Sequence, residues 1–476
     1  MCVYASIPEE KTLMIKCSPP SLPEHMSRND KPERTNRLTR RRYVTGAGAV
    51  ATVGIAGCAD DPEEEFEEED DGTDDTDPDG EPDEPDEGDL EIVHWWTAGG
   101  EEDAYNALLD GFREQHPDVE VVDNPAPGGA GSAIDAVIQN RVLDENPPST
   151  FQIWPGQALT PYTDADLLED IGDSVWDDEM REAYLDDIVD LSRPAGDIVA
   201  VPINIHRMNN LFYNVDVLDD ADVDATDIDD PQGVLDAMET IAEETDAVPM
   251  AHQTQSPWST LQLFEDVLLG QQGADDYVSF VEGNVEGLED EIREALELLV
   301  EYADHYPEDA GSIAWDQGND ELIEGNAAFL HQGDWAAGQY EAAEGFEFAE
   351  DWDMVPFPGT SGVYHSVIDS FVFPTNNPSP QATEQFLNYA GTVDAQERFN
   401  PIKGSIPPRT DVPMDGFGDF LTRQFEEFED STAQPPTIAH GTAVAPAIHS
   451  ELEEAFANFN ENLDVDAAYE AIRDAF

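Results

Sequence analysis

From Leu90 onward, short apolar runs alternate with stretches of helical period. "LEIVHWW" (90–96) reads as a strand, and residues 101–116 follow as a helix in which Tyr105, Leu108, Leu109 and Phe112 recur at helical spacing. "VEVVDNP" (119–125) is a further strand, "SAIDAVIQNRVLD" (132–144) a helix and "PSTFQIWPG" (148–156) a strand. Five such elements with short connections predict a parallel sheet covered by helices on both sides. A second run follows residues 199–214. It has a helix opening at Asp230-Pro231 with apolar positions Val234, Leu235, Met238 and Ile241, then "VPMAH" (248–252) and a helix within 258–269. A long helix over 288–305 and a strand-turn-helix over 326–341 come next, and "YHSVIDSFVFPTNN" (364–377) reads as a strand long enough to run between two lobes. The fold class is therefore α/β.

The first 89 residues do not share this pattern. "TRRRYVTGAGAVATVGIAGC" places Arg40 and Arg41 before a short Gly/Ala-rich apolar run that ends in Cys58. It resembles a twin-arginine signal peptide with a lipoprotein box. The run is too short to span a bilayer as a helix, so export with lipidation of Cys58 is expected, Met26 being an alternative start. Residues 59–89 are dominated by Asp and Glu with a single aromatic, Phe66. They bury too little to fold, and their self-repulsion predicts an extended tether. Domains are thus expected at 1–57 (extension and signal peptide) and 58–89 (tether), before the two lobes.

Charge changes the picture next. The chain has 476 residues with 108 acidic and 20 basic side chains, a net charge of −88. Nine of those bases and five of those acids precede Cys58, leaving 11 bases against 103 acids after it. Such a fold repels itself in dilute buffer, but in molar salt the Debye length falls to roughly 3 Å. The composition therefore points to a salt-saturated setting and argues against nucleic acid as a partner. It also makes any pair of carboxylates weak as a catalytic signal. All three cysteines (Cys2, Cys17, Cys58) lie at or before the expected cleavage point, so the folded part has no disulfide and no Cys-held metal.

One lysine survives beyond the N-terminal region: Lys403, in "FNPIKGSIPPR", a proline-punctuated segment expected to be a loop. An ammonium carries three donors on a compact point charge, which arginine's planar fork does not replace. "WWTAGGEE", "GGAGSAIDAVIQNRVLDENPPSTFQ", "VPINIHR", "GDWAAG", "DSF", "NPIKGSIPPR" and "AHGTAVAP" together resemble the extracellular solute-binding proteins (family 1) of ABC sugar importers, most closely their glucose/mannose-binding branch. The resemblance runs from about Leu90 to the C-terminus. It implies a two-lobe periplasmic-binding-protein-like fold of type II, hinged by crossover strands. The first lobe would be 90–205 plus 373–412, the second 206–372 plus 413–476.

Under this resemblance one or both of Trp95 and Trp96 line the sugar site with Glu101 beside them, and Trp315 and Trp335 stack from the second lobe. Asp369, Lys403 and His440 bind hydroxyls. A pyranose, with its apolar C–H face and rim of hydroxyls, needs this mixture of flat rings and fixed polar groups. Asp334 reads as a helix N-cap. In one respect the chain departs from the family, which carries a polar or basic residue where Trp154 stands, with Gln157 nearby; this puts glucose itself in doubt. The expected function is the receptor of an ABC-type uptake system for glucose or a close epimer. It would be a monomer that delivers sugar to a permease from a lipid anchor at the outer membrane face, with no cofactor and no metal. The alternatives are a secreted glycoside hydrolase, with Glu101 and Asp369 as its carboxylates, or a receptor for another small solute or oligosaccharide. A lysine between those carboxylates is expected to hold both ionised and so deny the hydrolase its general acid. "GGAG" (128–131) before a helix could hold an anion but reads as a flexible helix entry.

Overall fold

β1 (Leu90–His94) is buried along its whole length and sits near the middle of a five-stranded sheet. It pairs in parallel with β2 (Val121–Pro125) and with β3 (Thr150–Ile153), as the βαβαβ reading requires. These coordinates are a computed structural model, described over residues 88–126, 132–143 and 145–476. The signal peptide, Cys58, nearly all of the acidic tether and "GGAG" lie outside the described residues. No helix among the described residues is long and apolar enough to cross a membrane.

β4 (Ala200–Pro202), β5 (His206–Arg207) and β6 (Asn210–Asn214) lead from the first sheet to the second. They are followed by β7 (Val248–Met250), β8 (Ala327–Gln332) and β9 (Trp352–Pro356), and then by β10 (Ser366–Val367) and β11 (Ser370–Val372). The first sheet has the order β2-β1-β3-β11-β4 and the second β7-β8-β6-β9. Neither sheet is purely parallel. β11 runs antiparallel to β3 and β4, and β6 runs antiparallel to β8 and β9, leaving β7–β8 as the parallel pair of the second sheet. The antiparallel strands are the ones that enter from the crossovers, which come from the opposite lobe and so reverse direction.

The segment 364–377 is not one long strand. β10 pairs with β5 between the sheets, whereas β11 belongs to the first sheet, so the return to the first lobe falls at Ser370 rather than at residue 373. The break is at Ile368–Asp369, where the Asp369 N–H donates to Asn204 Oδ1 (2.7 Å) and its carbonyl accepts from Ile203 N–H (3.0 Å).

Local chemistry sets the helices. Asp230 caps Pro231–Glu244 by accepting from Gly233 N–H (2.8 Å), with proline in the first turn where its missing N–H costs nothing. The helix Gly100–Gln115 turns Leu108, Leu109 and Phe112 into the first core, next to Val93, Phe386 and Phe399. Leu261, Phe264 and Leu268 of the helix Pro257–Gln272 fill the second core with Leu296, Phe456 and Ile472. Val412, Phe417, Phe420 and Leu421 bring the chain back to the second sheet, packing around Trp352 and Phe212.

Lys403 is not in a loop. It ends the helix Val393–Lys403, and Gly404 (φ 78°) closes that helix in the left-handed conformation, its N–H bonding Asn400 O. A cation in the last turn suits the negative end of the helix.

Candidate functional site

Where the two lobes meet, a partly open cleft is lined by side chains from both. Five of the chain's eight tryptophans face it: Trp95 and Trp154 from the first lobe, Trp258, Trp315 and Trp335 from the second. Glu101, His206, Val367, Asp369, Lys403 and His440 complete the wall.

The first-lobe aromatics come from strand ends. β1 stops at His94, and the Trp95 N–H donates to Gln152 Oε1 (3.1 Å) at the end of β3. This turns the Trp95 ring toward Trp154, 5.1 Å away. Trp96 goes the other way. It is fully buried among Phe399 (4.8 Å) and Phe371 (5.7 Å) and does not reach the cavity, a correction to its expected place in the site. The two rings follow the last residue of β1 and leave the chain on opposite sides. Gln157 is also displaced from the site: its side chain is exposed and accepts from Thr160 Oγ1, while its backbone N–H reaches Thr442 O. The turn after β3 brings Trp154 inward and sends Gln157 out.

The charged groups converge on Lys403, which is 1 % exposed. Its Nζ lies 2.8 Å from Glu101 Oε1 and 3.1 Å from His206 Nε2, and 5.9 Å above the Trp335 ring. Because an ammonium only donates, His206 Nε2 must accept. Nδ1 of His206 then carries the proton and donates to Asp334, which also accepts from the Arg207 backbone N–H (3.0 Å). Burial, with Lys403 beside it, pushes the His206 imidazole far below its ordinary range and keeps it neutral. Asp334 is thus not a helix cap. It opens a one-turn helix (Asp334–Ala336) and spends its carboxylate on tying the second lobe to β5.

Asp369 is held from two sides. Gln152 Nε2 donates to Oδ1 (3.1 Å) and Asn204 Nδ2 to Oδ2 (2.8 Å). Burial pushes both Asp369 and Glu101 above the usual carboxylate range, and Lys403 pulls each back down. The expectation that the lysine holds both ionised is corrected accordingly: desolvation, which favours the protonated form, is the larger influence on both.

On the opposite wall, Trp335 and His440 meet edge to face at 5.1 Å, and Trp154 approaches His440 from the first lobe at 5.7 Å. Burial lowers the His440 imidazole to about 3, so it is neutral at ordinary pH. Sequence reasoning missed His206, Trp258 and Val367 as wall residues and Gln152 and Asn204 as the supports of Asp369. "VPINIHR" carried two of these, Asn204 and His206, without singling either out.

The sequence pattern of the family described as bacterial extracellular solute-binding protein matches residues 107–420. The chain belongs to that family. Similar to this solute-binding protein is one of Haloferax volcanii described as xylose/arabinose-binding, 42 % identical over 91 % of this chain and 96 % of its own. An uncharacterized ABC transporter extracellular-binding protein of Pyrococcus horikoshii is 35 % identical over 80 % of this chain and 85 % of its own. Among solved structures, the bacterial solute receptor AcbH, described as exclusively preferring β-D-galactopyranose, superposes with a TM-score of 0.69. It is 17 % identical, over 82 % of this chain and 98 % of its own, a likeness of fold. The two-lobe α/β architecture of this solute-binding protein is shared with that receptor.

Proposed function

We propose that this protein is the sugar-binding component of an ABC importer, taking one aldopyranose ring between its lobes and presenting it to a membrane permease. The observation that carries this reading is the gathering of three chargeable groups and two neutral histidines among five tryptophan rings. Flat rings suit the C–H faces of a pyranose, and the fixed polar groups suit its hydroxyls. A pentose of the xylose or arabinose kind is favoured over glucose. Trp154 puts a ring where a hydrogen-bonding group would meet an extra hydroxyl, and the Haloferax relative is described as binding those pentoses. Sugar that touches both lobes only when they are closed shifts the hinge toward closure by that difference in affinity. Export by the twin-arginine route, anchoring through lipidated Cys58 and a monomeric state belong to the same proposal.

The test is a thermal-shift and calorimetric panel of pentoses, hexoses and disaccharides on the full chain in about 3 M KCl. Ligand at 100 times its dissociation constant adds roughly 2.7 kcal/mol to stability. Xylose or arabinose raising the midpoint, and being recovered intact, supports the reading. A shift with disaccharides alone, or with no sugar in the panel, overturns it.

A further inference from the structure

Gln262 is fully buried in the helix Pro257–Gln272 and stands behind the cavity wall rather than in it. Its amide links two of the second-lobe groups that line the cleft, His440 directly and Trp335 through Gln332. Gln262 Oε1 lies 3.3 Å from His440 Nε2, and Gln262 Nε2 donates to Gln332 Oε1 (3.1 Å). The same Gln332 Oε1 accepts from the Trp335 indole N–H (3.1 Å) and from the Gly333 backbone N–H (3.3 Å).

These bonds admit one assignment. An indole N–H and a peptide N–H can only donate, so the atom of Gln332 that faces them is its oxygen. That oxygen requires the Gln262 NH₂ on its other side, which turns the Gln262 carbonyl toward His440. A carbonyl accepts, so His440 Nε2 carries the ring proton. The imidazole is neutral, and in a neutral ring a proton on Nε2 leaves Nδ1 with a bare lone pair. His449, His365, Lys403 and Asp266 are the ionisable groups that act on this ring, and burial outweighs all of them. One turn along the helix from Gln262, Glu265 accepts from the N–H groups of Ile438 (2.6 Å) and Ala439 (2.8 Å), fixing the backbone that carries His440.

We infer that Gln262 is a positioning residue that holds His440 in its Nε2–H tautomer, making Nδ1 a one-way acceptor for a ligand hydroxyl. This deepens the sugar-receptor reading and rests on it for the identity of the hydroxyl's owner. A sugar hydroxyl at this point must give its proton to His440 and turn its own lone pairs to other donors of the site. A methyl ether or a carboxylate in the same place has no proton to give and meets lone pair with lone pair.

Long-range ¹H–¹⁵N NMR of the histidine-labelled full chain, without ligand, reads the tautomer directly, with His440 assigned by its loss in His440→Gln. The expected result is the Nε2–H form in the parent protein and loss of that single form in Gln262→Leu. Affinity for the cognate sugar should fall about tenfold, as for one lost hydrogen bond. Gln262→Glu, which keeps an acceptor toward His440, should keep the tautomer. An Nδ1–H form in the parent, or a Gln262→Leu protein that retains the pure Nε2–H form, overturns the inference. Should Gln262→Leu fail to fold, the parent spectrum and Gln262→Glu decide it by the same criteria. Because the tautomer is read without ligand, a sugar panel that finds no binder would sink the receptor reading and leave this result standing.

Discussion

The side of the cavity made by the first lobe and the crossover beside it carries Lys403, Glu101 and Asp369, three groups that can bear charge, whereas the second lobe offers His440 and three tryptophans, all neutral. Their supports differ in the same way. Lys403 is held by an ion pair, and Asp369 by amide donors aimed at a carboxylate. His440 and Trp335 are held by two glutamines in a row, with no charge in the chain. A buried ion pair returns its large desolvation cost only when complete, so losing one member strands the other. A neutral amide chain has less to lose and works chiefly by direction. The first wall should therefore be fragile to single substitutions and the second tolerant in stability but exacting in specificity.

Lys403→Met tests the contrast with the largest effect. It leaves Glu101 buried without its partner and removes the donor to His206, so a loss of ~3–5 kcal/mol in stability is expected. Sugar affinity should fall more than about a hundredfold, since two or more charge-assisted bonds go with the ammonium. Thermal unfolding and calorimetry in molar KCl measure both, and a stability loss no larger than that of Gln262→Leu would break the comparison. Gly338→Ala asks whether the two walls must meet at all. A Cβ at Gly338 of the second lobe would lie 2.6 Å from the Ile402 carbonyl oxygen of the first, so full closure is blocked. Affinity should drop at least about tenfold while stability changes by less than about 1 kcal/mol, Gly→Ala within a helix being intrinsically favourable. Unchanged affinity would mean that binding does not need this seam.

How much of this the chain disclosed in advance follows the same divide. Trp95 was legible because two tryptophans in a row where a strand ends cannot both point the same way, which left one of them for the cleft. Lys403 was legible by its isolation in a chain almost without lysine. The helix it closes was missed because Pro401 and Pro407 read as loop punctuation, although Gly404 is the natural terminator. Gln262, Gln332 and His206 could not be found by periodicity. Buried polar residues on a helix or strand read as breaks in an apolar face, and their partners lie far along the chain, Gln262 meeting His440 across 178 positions. The mixed strand directions were hidden for a related reason: β11 is three residues long, too short for its pairing to be read from pattern.

Trp315→Ala should have a smaller effect than either change above. Trp315 is the half-buried member of the aromatic cage, and its loss removes one stacking face without stranding a charge. About a tenfold loss of affinity, with little change in unfolding midpoint, is the expected outcome by calorimetry. A midpoint drop as large as that of Lys403→Met would erase the distinction between the walls.

The smallest effect is the most discriminating, and it comes from pH. His440 is lowered to about 3, so the second wall keeps its protonation state across the whole working range. Glu101 and Asp369 move the other way, raised above ordinary carboxylates by burial. As pH falls, the folded protein therefore protonates these two before an unfolded chain would, and each proton taken up removes an acceptor from the sugar. Affinity should be flat from about pH 8 downward and then decline on an acid limb set by the first wall alone. Asp369→Asn, weaker at neutral pH for want of its charge, should make that limb shallower, because an amide does not titrate and only Glu101 is left to take up a proton. His440→Gln should bind more weakly at every pH yet keep the limb. Calorimetric titrations at a series of pH values in constant molar salt measure all three slopes. A limb that vanishes with His440 and survives in Asp369→Asn would place the titrating group on the wrong wall and reverse the assignment of charge between the two lobes.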